Sequence, residues 1–145
     1  MPCRPSPPWD FQLQIVRAST SREIDAAFAA IVSERSSALF VSADPFFNSR
    51  RVQVSLAAMR HAVPAIYSGR EHAEVGGLIS YGSDIADAYR QAGLYVGRIL
   101  KGTRPADMPV VQANKFELII NAQTARTLGI NVPQSMLVAA DEVID

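Results

Sequence analysis

Cysteine is nearly absent. Cys3 is the only one in 145 residues, so an internal disulfide and a thiolate metal cluster are both excluded. Histidine is scarce too: His61 and His72 are the only two, they fit no metal-ligand spacing, and both are expected on the surface. Nor is there an excess of charge of one sign, since 14 Lys and Arg balance 14 Asp and Glu. A nucleic-acid-binding face needs clustered basic residues, and Arg50-Arg51 is only an isolated pair, so no nucleic acid is expected as a partner. No apolar run has the length of a membrane span. The start, Met1 to Pro8, holds four prolines and no apolar core of an export signal. Residues 1–10 are therefore expected to form a disordered or extended leader, and on this evidence alone the chain stays in the cytoplasm.

The usual catalytic arrangements are missing as well. There is no G-x-S-x-G elbow and no histidine placed to activate a serine. The spaced glycines of a dinucleotide fingerprint and the lysine of a Walker loop are also absent. The reading is a non-enzyme without a cofactor.

What is present is the composition of a folded α/β protein, 48% apolar and 19% charged. Short β-rich runs alternate with helical patterns, which predicts an open parallel sheet flanked by helices. Leu13–Val16 is the first expected strand. Thr20 and Glu23 form a capping box ahead of a helix with Ile24, Phe28, Ile31 and Val32 on its inner face. Ala38–Val41 reads as a strand covered on both faces. Asn48 is expected to cap a helix with the stripe Val52, Leu56 and Met59. Strands follow at Pro64–Tyr67, Leu78–Tyr81 and Phe116–Ile120. Ser83 is expected to cap the longest helix, closed by Lys101-Gly102. Asn121 caps a short helix ending at Gly129, and Pro133 opens a final helical segment.

In such sheets ligands bind beyond the carboxyl ends of the strands, which directs attention to four loops. Asp44, held by the following Pro45, is either a carboxylate for a ligand ammonium or amide, or a turn residue. Phe46 either lines an apolar pocket or joins the core. Ser68 and Arg70 offer a hydroxyl and a guanidinium that could clamp a carboxylate, although Arg70 and Glu71 also fit plain surface charge. Tyr81 serves equally as a pocket wall or as packing. Gly76-Gly77 reads as a flexible connector, a candidate hinge.

Four segments, in this order and spacing, go further: Ser42-Ala43-Asp44-Pro45-Phe46-Phe47-Asn48-Ser49-Arg50-Arg51, Gly76-Gly77-Leu78-Ile79-Ser80-Tyr81-Gly82, Ile99-Leu100-Lys101-Gly102-Thr103-Arg104-Pro105, and Lys115-Phe116-Glu117-Leu118-Ile119-Ile120-Asn121. Together they make the sequence resemble the ABC-transporter substrate-binding family, which includes tryptophan and tyrosine binders. The resemblance covers residues 11–145 and matches the carboxyl-terminal half. It implies a periplasmic-binding-protein-like type I lobe, with residues 78–104 crossing toward the other lobe. It further implies a small organic ligand such as an amino acid, an ABC permease as the receiving partner, and a periplasmic location. Asp44 would then meet a polar or cationic group. Phe46 and Tyr81 would supply apolar surface, Ser68 and Arg70 polar contacts, and Gly76-Gly77 a closing hinge. Without the other lobe the longest helix would expose its apolar stripe, which a homodimer could cover. A ligand-sensing module of the same fold and a truncated remnant without function are the alternatives.

Overall fold

A computed structural model describes residues 12–111 and 115–145; the leader expected over 1–10 lies outside them. The element order is α1 (Ser21–Ser33), β1 (Leu39–Val41), α2 (Pro45–Ser49), α3 (Arg51–Arg60), β2 (Ala65–Tyr67), α4 (Arg70–Glu74), β3 (Ile79–Ser83) and α5 (Ile85–Leu100). A 3-10 turn at Pro105–Asp107 precedes β4 (Phe116–Asn121), α6 (Ala122–Thr127), α7 (Gln134–Ala139) and β5 (Glu142–Ile144). The strands form one sheet in the order β1-β2-β3-β4-β5. Three of its four pairings are parallel. Only β3 and β4 run antiparallel, with Ile79 opposite Ile120 and Ser83 opposite Phe116.

The capping box forms with one change of detail. Thr20 Oγ1 accepts from the Glu23 N–H at 3.3 Å, while the Glu23 carboxylate reaches past Thr20 to the Ser19 N–H at 2.6 Å. Behind it Ile24, Phe28 and Ile31 are buried against Val41, Val54, Ala65 and Tyr67. Val32, expected on that face, is exposed. At 100° per residue it sits too far around from the Ile24–Phe28–Ile31 line.

Several other expectations need correction. Leu13–Val16 is not a strand: Leu13 is 85% exposed, and only Val16 packs against the core. Among the described residues no strand pairs with its backbone. β1 is covered on one face only, Phe40 being 64% exposed. Asn48 lies inside α2 and caps nothing, while α3 begins at Arg51 without a side-chain cap. The buried side of α3 is Val54, Ser55, Ala57 and Ala58, and the expected stripe of Val52 and Leu56 faces outward. Small residues win this position because α3 is wedged between α1 and α4, where only short side chains let helix backbones approach. Ser83 ends β3, and the cap of α5 is Asp84. The final segment turns back into β5, which the helical reading overlooked.

The buried face of the sheet is formed by Val41, Tyr67, Ser80 and Ile119, with α4 packed over β3 and β4. α5 differs from every other long helix in having no buried residue. Ile85, Tyr89, Val96, Ile99 and Leu100 are all exposed. It ends at Gly102, whose φ of +99° is the left-handed conformation glycine supplies without strain. The Tyr95 hydroxyl donates to the Pro109 carbonyl and ties the following segment to it. Among the described residues no helix is long and apolar enough to cross a membrane, and no cluster of His, Cys, Asp or Glu is placed to hold a metal.

Candidate functional site

β1, β2 and β3 run parallel and end on one edge of the sheet. A cleft of about 480 Å³ opens there, between the turn after β2, the end of β3 and the first turns of α5. Gly69, Arg70 and Glu71 make one wall, Ser80 and Gly82 the floor, and Asp84 to Ala86 with Tyr89 the other wall. Glu117 of β4 closes the end.

The floor is shaped by a backbone contact. A Cβ built on Gly82 would lie 1.9 Å from the Ser68 carbonyl oxygen, so only a residue without one lets β3 pass this close to the β2 turn. Ser80 is 1% exposed and its Oγ has no hydrogen-bond partner among the described residues. Beneath the same wall, His72 is buried rather than on the surface, being 5% exposed. Its ring stacks on Tyr67 with centroids 4.7 Å apart, and neither ring nitrogen finds a partner among the described residues. Desolvation lowers its pKa, so the ring stays neutral.

Most of the charge at the cleft is already paired. Arg70 reaches Glu74 at 2.9 Å, Glu117 at 3.2 Å and Glu142 at 2.8 Å. Its hydrogen bond to Glu74, foremost, raises its pKa further. The guanidinium thereby straps α4 to β4 and β5. Asp84 takes the Asp87 N–H at 3.0 Å on one oxygen and Lys115 Nζ at 2.6 Å on the other. The lysine is the main reason its pKa falls below the ordinary carboxylate value.

The residues singled out from sequence are distributed around this edge. Arg70 lines the cleft, and Ser68 contributes its carbonyl behind the floor while its Oγ donates to the Val41 carbonyl at 3.3 Å. Asp44 stands exposed at the end of β1, where Oδ1 accepts the Phe46 N–H at 2.7 Å and so caps α2. Phe46 is half-buried against Phe47, ring centroids 5.5 Å apart, and packs on the core. Tyr81 points to the opposite face of β3 from Ser80 and Gly82 and stacks on Phe116 at 5.8 Å. Gly76, with φ +99°, and Gly77 lie between α4 and β3. A Cβ at Gly77 would meet the His72 carbonyl and the Tyr67 ring, each at 2.7 Å, so packing by itself demands glycine there. Sequence reasoning passed over Ser80 and Gly82 as site residues and left Glu71 as surface charge. The first two carried a signal: a hydroxyl and then a glycine inside an otherwise apolar strand mark a place where something else comes close.

Comparison with known proteins adds to this geometry. Residues 9–144 match the family described as ABC transporter substrate binding protein. A tyrosine-binding protein of Clostridioides difficile (strain R20291) is 30% identical over 110 residues, 76% of this chain and 32% of that protein. A Streptococcus pneumoniae ABC domain solved in complex with L-Trp superposes with a TM-score of 0.78 at 31% identity, covering 86% of this chain and 42% of the other. A conserved domain protein from Vibrio cholerae O1 biovar El Tor gives the same TM-score of 0.78 at 28% identity, covering 87% and 42%. The chain thus spans less than half the length of these relatives.

Proposed function

The chain belongs to the ABC transporter substrate-binding protein family, and from that premise we propose that it forms one jaw of a clamp for a small organic solute. The solute is an amino acid, performs no chemistry there, and is handed to an ABC permease. The observation that carries this reading is the cleft at the carboxyl ends of β2 and β3, bounded by backbone turns and a helix start, where open α/β sheets receive ligands. The ligands named for the relatives, tyrosine and L-Trp, make aromatic amino acids the first choice.

In this reading the crossing expected over residues 78–104 starts only after β3, which is the middle strand of this sheet, and it is α5 and the turn beyond it that reach a second lobe. The outward apolar stripe of α5 packs there, because a soluble protein seldom leaves so continuous an apolar helix face in water. Arg70 lines the cleft and Asp44 and Ser68 stand at the same sheet edge, where they add polar groups as it closes, while Phe46, packed on the core, and Tyr81, on the opposite face of β3, stay outside it. The backbone around Gly76-Gly77 accommodates closure. The periplasm is the compartment that fits such a receptor.

A thermal-shift screen of the chain against the amino acids tests this. At a hundredfold excess over Kd, a ligand that binds only the folded state adds about 2.7 kcal/mol, which raises Tm by roughly 8 °C. A folded chain whose Tm moves with none of them removes the reading. Asp44→Ala separates cap from contact. Loss of the cap lowers stability by about 1 kcal/mol in a denaturant titration, whereas a ligand contact adds at least a tenfold loss of affinity by calorimetry. An unchanged Kd leaves Asp44 a cap alone.

A further inference from the structure

α4 is only five residues long, yet its start forms a wall of the cleft. Gly69 is its N-cap, and Gly76-Gly77 follow its last turn before β3. Two of its side chains are buried, His72 and Ala73. Ala73 needs only to pack. His72 needs more, because an imidazole brings two polar atoms to be satisfied. Its ring is 5% exposed, lies on Tyr67 with 15° between the planes, and closes no hydrogen bond among the described residues. Burying it unsatisfied is costly even when it is neutral. Burying it charged is far more so.

The groups around the ring do not offset that cost. From its own helix the Glu71 carboxylate favours a charged ring, as does the backbone at Gly69 and Phe47, while Arg51 of α3 opposes it. Glu74 of α4, Glu117 of β4 and Glu142 of β5 are turned to Arg70. β2 presents the neutral phenol of Tyr67, and α3 the uncharged Ser55, bonded to the His72 carbonyl. Loss of water outweighs them all and holds the ring's pKa below the 6.5 of a free imidazole.

A closed α4 thus excludes a proton that an open α4 accepts. We infer that His72 is a proton-operated latch on the cleft wall. Neutral, its ring pins α4 to Tyr67 and holds Gly69, Arg70 and Glu71 in place. Protonated, it leaves the sheet, and α4 swings out between the glycines that flank it. The ion pairs of Arg70 do not prevent this, being largely solvent-exposed and so individually weak. Closure is fully favoured above pH 6.5 and is lost as pH falls below it, by up to about tenfold per pH unit. The latch stands on the fold alone; its consequence, release of a solute on acidification, rests on the solute-binding reading.

Hydrogen exchange of the amides over residues 70–77, followed between about pH 5 and 8 and corrected for intrinsic rates, tests the latch. In the unaltered full chain their protection should fall by up to about tenfold per pH unit below 6.5, and they should open before β4 does. His72→Phe keeps a ring on Tyr67 and removes the titration, so its protection should hold within about twofold. Should that variant fail to fold, the imidazole carbon resonances decide. Only two histidines are present, His61→Gln identifies the other, and His72 should titrate below 6.5. A ring that titrates at or above 6.5, an equal loss of protection in His72→Phe, or a loss shared in full with β4 overturns the latch. Calorimetry with L-tryptophan and L-tyrosine over the same range reads the consequence. Affinity should fall on acidification in the unaltered chain and not in His72→Phe, and an affinity that holds overturns release. If neither amino acid binds at any pH while α4 still opens, the aromatic-solute reading fails and the latch is upheld.

Discussion

Gly82→Ala is expected to lower stability by about 3 kcal/mol or more, an unusually large effect for one methyl group. The added carbon would overlap the Ser68 carbonyl oxygen at 1.9 Å and its carbonyl carbon at 2.9 Å. Both belong to backbone, so no rotamer change can relieve the clash. Relief requires the β2 turn to move away from β3, and that turn carries Ser68 Oγ bonded to Val41 and the strap of Arg70. Gly93→Ala is the matched control. It lies in α5 with nothing within 4 Å of its Cβ position, and alanine in a helix interior should stabilise by roughly 0.5–1 kcal/mol. Urea titrations of the two variants should move in opposite directions. A Gly82→Ala protein that unfolds at the native midpoint would show that the floor of the cleft is not built on this contact.

The second large effect is at Tyr67, which is 0% exposed. Tyr67→Ala removes a ring packed on His72 and on the α3 side of the core, and truncating a buried aromatic costs about 3–5 kcal/mol. Tyr67→Phe should cost close to nothing. The Tyr67 hydroxyl is buried without a hydrogen-bond partner. Ser55, whose Oγ donates to the His72 carbonyl at 3.5 Å, offsets only part of the cost of that burial. Burial pushes the phenol from 10.0 up to about 12. The group thus ionises more readily in the unfolded chain, so its contribution is complete below pH 10 and is lost as pH rises toward 12. Stability curves of the native chain should fall more steeply over that range than those of Tyr67→Phe. Parallel curves would mean that the hydroxyl finds a partner or water.

Much of the fold was legible in local chemistry. The Thr20–Glu23 box, the Asn121 cap and the glycine stops at Gly102 and Gly129 all appear where hydrogen-bonding and φ requirements put them. The strands at Leu39–Val41, Ala65–Tyr67 and Phe116–Asn121 follow from their apolar runs. Tertiary context decided the rest. Val52 and Leu56 outrank Ala57 and Ala58 in hydrophobicity, yet the alanines are inside because α3 is wedged between two helices. His72 is buried because its ring stacks on Tyr67, which no spacing in the sequence announces. β5 is three residues long and takes its partner from β4, too short to betray itself by period. At the cleft the expectation favoured residues bearing conspicuous side chains, such as Arg70 and Tyr81. What shapes the floor is largely a missing side chain at Gly82.

The single antiparallel pairing has a consequence for biogenesis. Ile79 meets Ile120, so β3 must wait while α5 and the turn beyond it are synthesised before its neighbour arrives. Throughout that interval the nascent polypeptide carries an open, apolar strand margin of the kind that templates wrong partners. That margin stays open until Phe116–Asn121 has emerged and paired, and holdase chaperones should engage the chain over this interval.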